Sequence, residues 1–254
     1  MNWRQKIYKR YFPSKLKKWI HPEQEVLDRF IMTHAQLLRP DERALDAGAG
    51  ECRYKHYFAN HRYYAIDTAV GDVDWDYSKL DVIGELECMP FPHSSFDLVI
   101  CTQVLEHVRE PQHVLFEFSR VLKKGGRLCL SAPQGWGVHQ APNDFFRFTE
   151  YGLSHLFCKA GFQKINIRPT CGYFGYLANR LTVFPKTLFW QRDRFFRILF
   201  FPLELLSYVF FVLLFPMILN RMDVLDRNRQ YTLNYLVDAI KGPADQRKSE
   251  RAGN

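Results

Sequence analysis

The sequence contains six cysteines, at 52, 88, 101, 129, 158 and 171, but no Cys-x-x-Cys pair. Their spacing matches neither a disulfide framework nor a zinc site. Two of them lie inside apolar runs, Val99-Ile100-Cys101 and Leu128-Cys129-Leu130, where a small buried thiol is expected. A reducing compartment is therefore expected, and no metal. The first 22 residues lack acids altogether. They also lack an apolar run after their cations, so they do not read as a secretory signal. No internal repeat is visible, and the dinucleotide fingerprint GxGxxG is missing.

What is present is a chain of 254 residues, long enough for one large domain or two small ones with a sizeable core. Charged residues make up an ordinary 24%, which excludes a chain disordered throughout. The formal net charge is +8, but Arg4, Lys6, Lys9, Arg10, Lys15, Lys17 and Lys18 supply nearly all of it. The remaining body is close to neutral, so the total charge does not indicate a polyanion-binding domain.

A helix is expected over 23–38, with Val26, Leu27, Phe30, Ile31, Leu37 and Leu38 near one stripe, ended by Pro40. Strands and helices then alternate. Strands are expected at Arg43–Ala47, Tyr63–Ile66, Asp81–Gly84, Phe96–Cys101, Arg127–Ser131 and Phe162–Arg168. The helical spacing of Pro111–Leu122 runs into Lys123-Lys124-Gly125-Gly126, which reads as a cationic helix end with a glycine cap. Thr149 is expected to cap a helix ending at Ala160. A further strand-like stretch, Tyr231–Ile240, follows much later. The pattern predicts an α/β, doubly wound sheet.

Leu45-Asp46-Ala47-Gly48-Ala49-Gly50 is an apolar strand running into a glycine turn. Gly48 and Gly50 allow close backbone approach, and a helix after the turn would offer unpaired amides. A purely structural βα turn explains the same glycines. Two acids favour a ligand: Asp67 ends the second strand, where a carboxylate can accept ribose hydroxyls, and Glu85 follows the third, where an acid can meet a base-edge amino group.

Six pieces in order resemble class I S-adenosylmethionine-dependent methyltransferases, in particular a type 11-like bacterial subgroup. They are the glycine turn, Ala65-Ile66-Asp67, Glu85-Leu86-Glu87-Cys88-Met89-Pro90-Phe91, Ser95-Phe96-Asp97-Leu98-Val99-Ile100, Val104-Leu105-Glu106-His107-Val108, and Arg120-Val121-Leu122-Lys123-Lys124-Gly125-Gly126. The resemblance covers roughly residues 40–170 and implies a Rossmann-like, mostly parallel seven-stranded sheet and S-adenosyl-L-methionine as cofactor. It implies that Asp46 lies near the methionine amino group, with Gly48, Ala49 and Gly50 beside the methionine part and ribose. Asp67 would hold the ribose hydroxyls. Glu85 and the Leu86 amide would face adenine, and Thr102 and Gln103 would lie near the methionine part. Cys52 departs from the pattern, where many members have a third glycine.

A methyl acceptor would bind at the same sheet edge. His107 has a pKa suited to a general base, while Glu106 and His107 equally suit a stitch beneath the site. The segment Ala132–Thr149 is long, polar and aromatic, as binding lids are. In it His139 is a candidate base, Trp136 a stacking wall and Arg147 an anchor for an anionic acceptor. Asp144 accompanies Arg147 in Asp144-Phe145-Phe146-Arg147-Phe148-Thr149, which resembles a signature of the same subgroup. The competing reading pairs Asp144 with Arg147 to brace the loop.

Residues 198–219 form an apolar run with one charge, Glu204. By hydropathy it is a membrane candidate. A single crossing would put the flanking sixth and seventh strands on opposite sides of the bilayer, and Pro202 and Pro216 would interrupt one straight helix. A re-entrant hairpin, an in-plane helix pair, a protein interface and a buried core helix remain. The basic, aromatic N-terminus suits an anionic lipid surface, and also RNA or plain solvent.

The expected organisation is a basic arm (1–22), a methyltransferase domain (23–241) with an apolar helical insertion (about 172–230) before the last strand, and a disordered tail (242–254). The expected function is methyl transfer to a small or lipid-linked acceptor at the cytoplasmic membrane face. The association would be peripheral or monotopic, through 195–220 and 1–20. The alternatives are a soluble RNA or protein methyltransferase with the apolar segment as a homodimer interface, and a cofactor-binding interaction protein without turnover. Nucleic acid is not an expected partner of the main reading.

Overall fold

Polar alternation is missing from the central strands. Ala44–Ala47 are all buried, and so are Leu98–Cys101. Strands of this kind must be covered on both faces, which is the condition of a parallel sheet. In the computed structural model, which describes residues 19–71, 74–189 and 194–243, they occupy its centre. The expected arm and tail lie almost wholly outside the described residues.

Two compact units divide the chain. The larger comprises Leu27–Arg168 and the stretch from Asn234 onward. Its seven-stranded sheet is built from β1 (Arg43–Ala47), β2 (Arg62–Asp67), β3 (Val82–Ile83), β4 (Phe96–Thr102), β5 (Leu122–Pro133), β6 (Phe162–Pro169) and β7 (Asn234–Lys241). The order is β3-β2-β1-β4-β5-β7-β6. β1 pairs in parallel with both β2 and β4, β4 pairs in parallel with β5, and β7 runs antiparallel to β5. The expected Rossmann-like fold is the one observed.

Helix α1 (Pro22–Gln36) precedes the sheet, and α2 (Pro111–Val121) and α3 (Glu150–Lys159) follow β4 and β5. Val114, Leu115, Phe118 and Val121 recur at helical spacing on α2 and are fully buried. They share one core cluster with Leu153 and Phe157 of α3 and with Leu45, Val99, Leu128 and Val237 of the sheet. Thr149 caps α3 as expected, accepting from the Gly152 amide at 3.1 Å. Lys123–Gly126 do not form the expected helix cap. Phe96 pairs with Leu122 and Leu98 with Arg127, so these four residues bulge out of β5. The ion pair of Lys123 with Asp97, at 2.7 Å, anchors the bulge.

The smaller unit comprises the residues up to Val26 and Pro169–Leu233. It holds α4 (Tyr173–Leu181), α5 (Phe184–Phe189), α6 (Arg194–Leu199) and α7, a 25-residue helix over Phe201–Leu225. The C-terminal part of α7 packs on α4 and its N-terminal part on α5, so the pair is an antiparallel hairpin. Asp223 accepts from the Gly172 and Gly175 amides at 2.8 and 2.7 Å, and Asp226 from the Tyr173 amide at 2.7 Å. Three orphan donors at the start of α4 are thus satisfied by the end of α7.

The prolines do not interrupt α7. Pro202 sits in its first turn, where no amide is needed. Pro216 follows a π-helical stretch, Val209–Leu214, whose wider turn absorbs the missing hydrogen bond.

One polar hub lies beneath this apolar core. Arg120 donates to the Met89 and Phe91 carbonyls at 2.9 and 2.7 Å and pairs with Glu117, which accepts from the Met89 amide. Arg120→Ala removes these bonds and should lower stability by about 2–3 kcal/mol. Thermal denaturation should then shift Tm by roughly 5–10 °C. A shift under about 1 °C would show that the hub is solvated rather than structural.

Candidate active site

The strand order reverses beside β1, since β2 and β3 lie on one side of it and β4 and β5 on the other. Ligands bind outside the carboxyl ends of the strands at such a point. Asp46, Asp67 and Thr102 all stand at or beside those ends.

The turn after β1 is held by β2. The Ile66 carbonyl accepts from the Gly48 amide at 2.8 Å and the Ala49 amide at 3.1 Å, and the Asp67 carboxylate accepts from the Gly50 amide at 2.9 Å. Gly48 and Gly50 have φ of +78° and +51°. A Cβ on Gly48 would lie 2.4 Å from Val104 Cγ2, so only glycine fits. The expected α-helix does not follow. Cys52 itself takes a left-handed φ of +55°, and the chain passes through turns into a short 3₁₀ segment, Lys55–Phe58. The turn amides therefore serve β2 rather than an anion.

Asp46 is 1% exposed, and its carboxylate accepts from the Tyr63 hydroxyl at 2.6 Å. Burial pushes its pKa up to about 7, against the pull of Tyr63. Asp67 also accepts from the Ala69 amide at 2.9 Å. Glu85 is exposed at the start of a 3₁₀ turn, and Leu86 is buried beside it. Gln103, with φ of +55°, donates from its side chain to Ser131 Oγ at 3.0 Å. Trp75 was not singled out from the sequence. Its indole lies 3.2 Å from where a Gly50 Cβ would be, so it closes over the glycine turn. An isolated tryptophan in a polar loop carries no periodic signal that could have marked it.

On the β4–β5 side the structure gathers Glu106, His107, His139, Asp144 and Arg147. Glu106 follows β4 and is fully buried, with neither carboxylate oxygen hydrogen-bonded. Burial raises its pKa to about 8. Burial also lowers that of His107. Arg147 forms a bidentate pair with Asp144, both contacts at 2.7 Å. It donates as well to the carbonyls of Trp136, Gly137 and Phe146 at 2.9, 2.8 and 2.7 Å. Its fork is consumed within the loop, and it holds the Asp144 carboxyl well below the usual carboxylate range. The Trp136 indole donates to Asn234 Oδ1 at 2.7 Å.

Asp46 generates a stability test. Its carboxyl has a reference value of 3.8 and a folded value of about 7, so the folded chain holds the proton more tightly. That contribution is fully present below about pH 4 and is lost as pH rises through about 7. Urea denaturation of Asp46→Asn should show a shallower decline between these limits than the parent chain. Parallel profiles would place Asp46 in a solvated setting.

Residues 45–130 match the profile of the methyltransferase domain family. A demethylmenaquinone methyltransferase of Bacillus licheniformis is 36% identical over 88 residues, covering 33% of this chain and 38% of the relative. Among solved structures, the 1,6-didemethyltoxoflavin-N1-methyltransferase of Burkholderia thailandensis superposes with a TM-score of 0.52 at 16% identity, over 89% of this chain and 80% of that one. The cyclase SpnF superposes with a TM-score of 0.54 at 17% identity, over 86% and 83%. These two likenesses concern the fold. The chain spans about half or less of the length of the curated relatives it matches. The ordered motifs, the strand order and the matched segment agree: residues 45–130 are those of a methyltransferase domain, a family whose cofactor is S-adenosyl-L-methionine.

Proposed function

We propose that the chain transfers the methyl group of S-adenosyl-L-methionine to a small or lipid-linked acceptor at the cytoplasmic face of a membrane. The observation that carries the cofactor half is the side-chain-free glycine turn between two carboxylates, Asp46 and Asp67, at the switch point. A cationic ligand suits that edge. Asp46 would accept from the methionine ammonium, Asp67 from the ribose hydroxyls and Glu85 from the adenine amino group. Gly48 and Gly50 would let the chain pass close to the ligand. Trp75 and the loop around Trp136 would exclude water. When bound, the cofactor supplies an already electrophilic methyl carbon, so these residues mainly have to align the acceptor and keep the site dry.

The membrane half is supported by the apolar hairpin. Of the most apolar 18 residues of α7, only 17% are buried. Phe201, Leu203, Leu205, Leu206 and Ile218 are each at least half exposed. Because Asp223 and Asp226 tie the end of α7 to the start of α4, the hairpin returns to its starting point. An element of that form enters a lipid face without crossing it. The relative named for demethylmenaquinone supports an apolar acceptor.

Calorimetry with S-adenosyl-L-methionine should show one site, with affinity lowered at least about tenfold in Asp67→Ala. No binding by the parent chain would overturn the cofactor reading. Co-sedimentation with phosphatidylglycerol vesicles should recover most of the parent protein in the pellet. A Leu203→Glu, Leu206→Glu pair should leave most of it in solution. A parent chain that stays in the supernatant as a detergent-free dimer would overturn the membrane half and leave the cofactor half standing.

A further inference from the structure

We propose that Glu106, His107 and His139 form a binding site for one divalent transition-metal ion of the zinc type. The site stands on its own geometry. Only its use toward a methyl acceptor rests on the methyl-transfer reading.

Glu106 is the anomaly that demands an occupant. It is 0% exposed, and both carboxylate oxygens lack a hydrogen-bond partner. A buried carboxylate in that state is costly unless something positive or protic meets it. Two imidazole nitrogens approach it, His107 Nε2 at 3.8 Å and His139 Nε2 at 3.9 Å. His107 Nε2 is itself buried and without a partner.

The tautomers follow from what faces the other ring nitrogens. His107 Nδ1 meets the Asn143 carbonyl, which can only accept, so Nδ1 carries the proton. His139 Nδ1 meets two acceptors, the Gly137 carbonyl at 3.1 Å and the Asp144 carboxylate at 3.4 Å, both nearer than the donating Arg147 guanidinium at 3.5 Å, so the proton is placed on Nδ1 here too. Each Nε2 therefore presents a lone pair toward Glu106. Two lone pairs and the Glu106 carboxyl converge, with no hydrogen bond made among them. Imidazoles whose distal N–H is held by a carbonyl or carboxylate have the outer-shell arrangement of metal ligands.

The spacing suits a metal. One ligand atom from each of the three residues lies within 4.8 Å of the other two. Ligands about 2.0–2.1 Å from a tetrahedral ion stand about 3.3 Å apart, so the two separations from Glu106 need to close by about 0.5 Å and that between the imidazoles by at most about 1.5 Å. Two histidines with one carboxylate leave open coordination positions, as in catalytic sites, which an oxygen ligand such as water or an acceptor hydroxyl can take. His139, on the loop after β5, is partly exposed and gives an entry path. The nearest fixed cation, Arg147, lies 3.5 Å from His139 Nδ1, and its charge is met by the bidentate Asp144.

The test uses the full chain, stripped with chelator, and Co2+ as a spectroscopic probe with Zn2+ in competition. One equivalent of Co2+ should bind with visible d–d bands, and Zn2+ should displace it. Glu106→Gln and His139→Ala should each weaken binding at least about tenfold. Binding of S-adenosylhomocysteine, measured on the same metal-free samples, should be retained in both variants and report that they are folded. Absence of stoichiometric binding by the parent chain, or affinities unchanged in both variants, would overturn the proposal and identify Glu106 as a carboxyl kept protonated by burial. Metal binding without S-adenosylhomocysteine binding by the parent chain would instead overturn the methyl-transfer reading and leave the metal site standing.

Discussion

The carbonyl of Ile66 is the acceptor on which the site depends. By taking the Gly48 and Ala49 amides it bends the chain sharply off β1, and the adjacent Asp67 carboxylate completes the bend at Gly50. The bend needs a left-handed backbone at both glycines, and at Gly48 it leaves no room for a side chain against Val104. Because the amides are already satisfied, the turn cannot cradle a phosphate as a glycine-rich loop before a helix does. What the edge offers is carboxylate. A cofactor with a sulfonium and an ammonium fits acids, whereas a dinucleotide pyrophosphate needs free amides. On the proposed reading, the same two hydrogen-bonded strands favour a cationic ligand.

The opposite half of the edge is built on a different economy of donors. The loop between β5 and α3 is pinned to the chain after β4 by the Phe145 amide, which donates to the Glu106 carbonyl at 2.9 Å, and is closed on the end of β5 by the Phe148 amide, which donates to the Pro133 carbonyl at 2.8 Å. Arg147 adds several bonds inside the loop. This bracing shields Glu106 from water and carries His139 over it. A loop that were merely a solvated connection would not need a buried acid beneath it. The cost of that burial is visible in the raised pKa of Glu106, whereas Asp144, a few residues from His139, is driven the other way by its arginine.

Much of this was legible in the sequence, for reasons that differ by element. The central strands announced themselves as continuous apolar runs, and Thr149 with the helical spacing after it located α3 within a residue. The acids at the strand ends could be read because strand ends are fixed by the runs before them. Lys123–Gly126 misled because a helix cap and a strand bulge use the same residues. Only the pairing of Phe96 with Leu122 and Leu98 with Arg127 separates the two. The absence of a helix after Gly50 was hidden for a similar reason, since the left-handed Cys52 has no sequence signal. Cysteine spacing said nothing about Glu106, His107 and His139, whose approach across the β4–β5 edge is a tertiary fact.

Pro202 and Pro216 bear on the apolar segment in a way that composition could not settle. Proline in a helix interior normally costs about 3 kcal/mol and kinks the axis. Here the first proline falls where the amide is spare, and the second falls after a π-helical stretch that has already widened the ladder. The helix therefore runs unbroken from Phe201 to Leu225, which by length alone would cross a bilayer. Yet its last turn is bound through Asp223 and Asp226 to the amides of residues 172, 173 and 175, and β6 and β7 are neighbours in one sheet. A single crossing would have to break three charge-assisted bonds at a helix start and still return the chain to β7. Keeping them makes the hairpin a closed excursion, tied at its base so that the chain comes back.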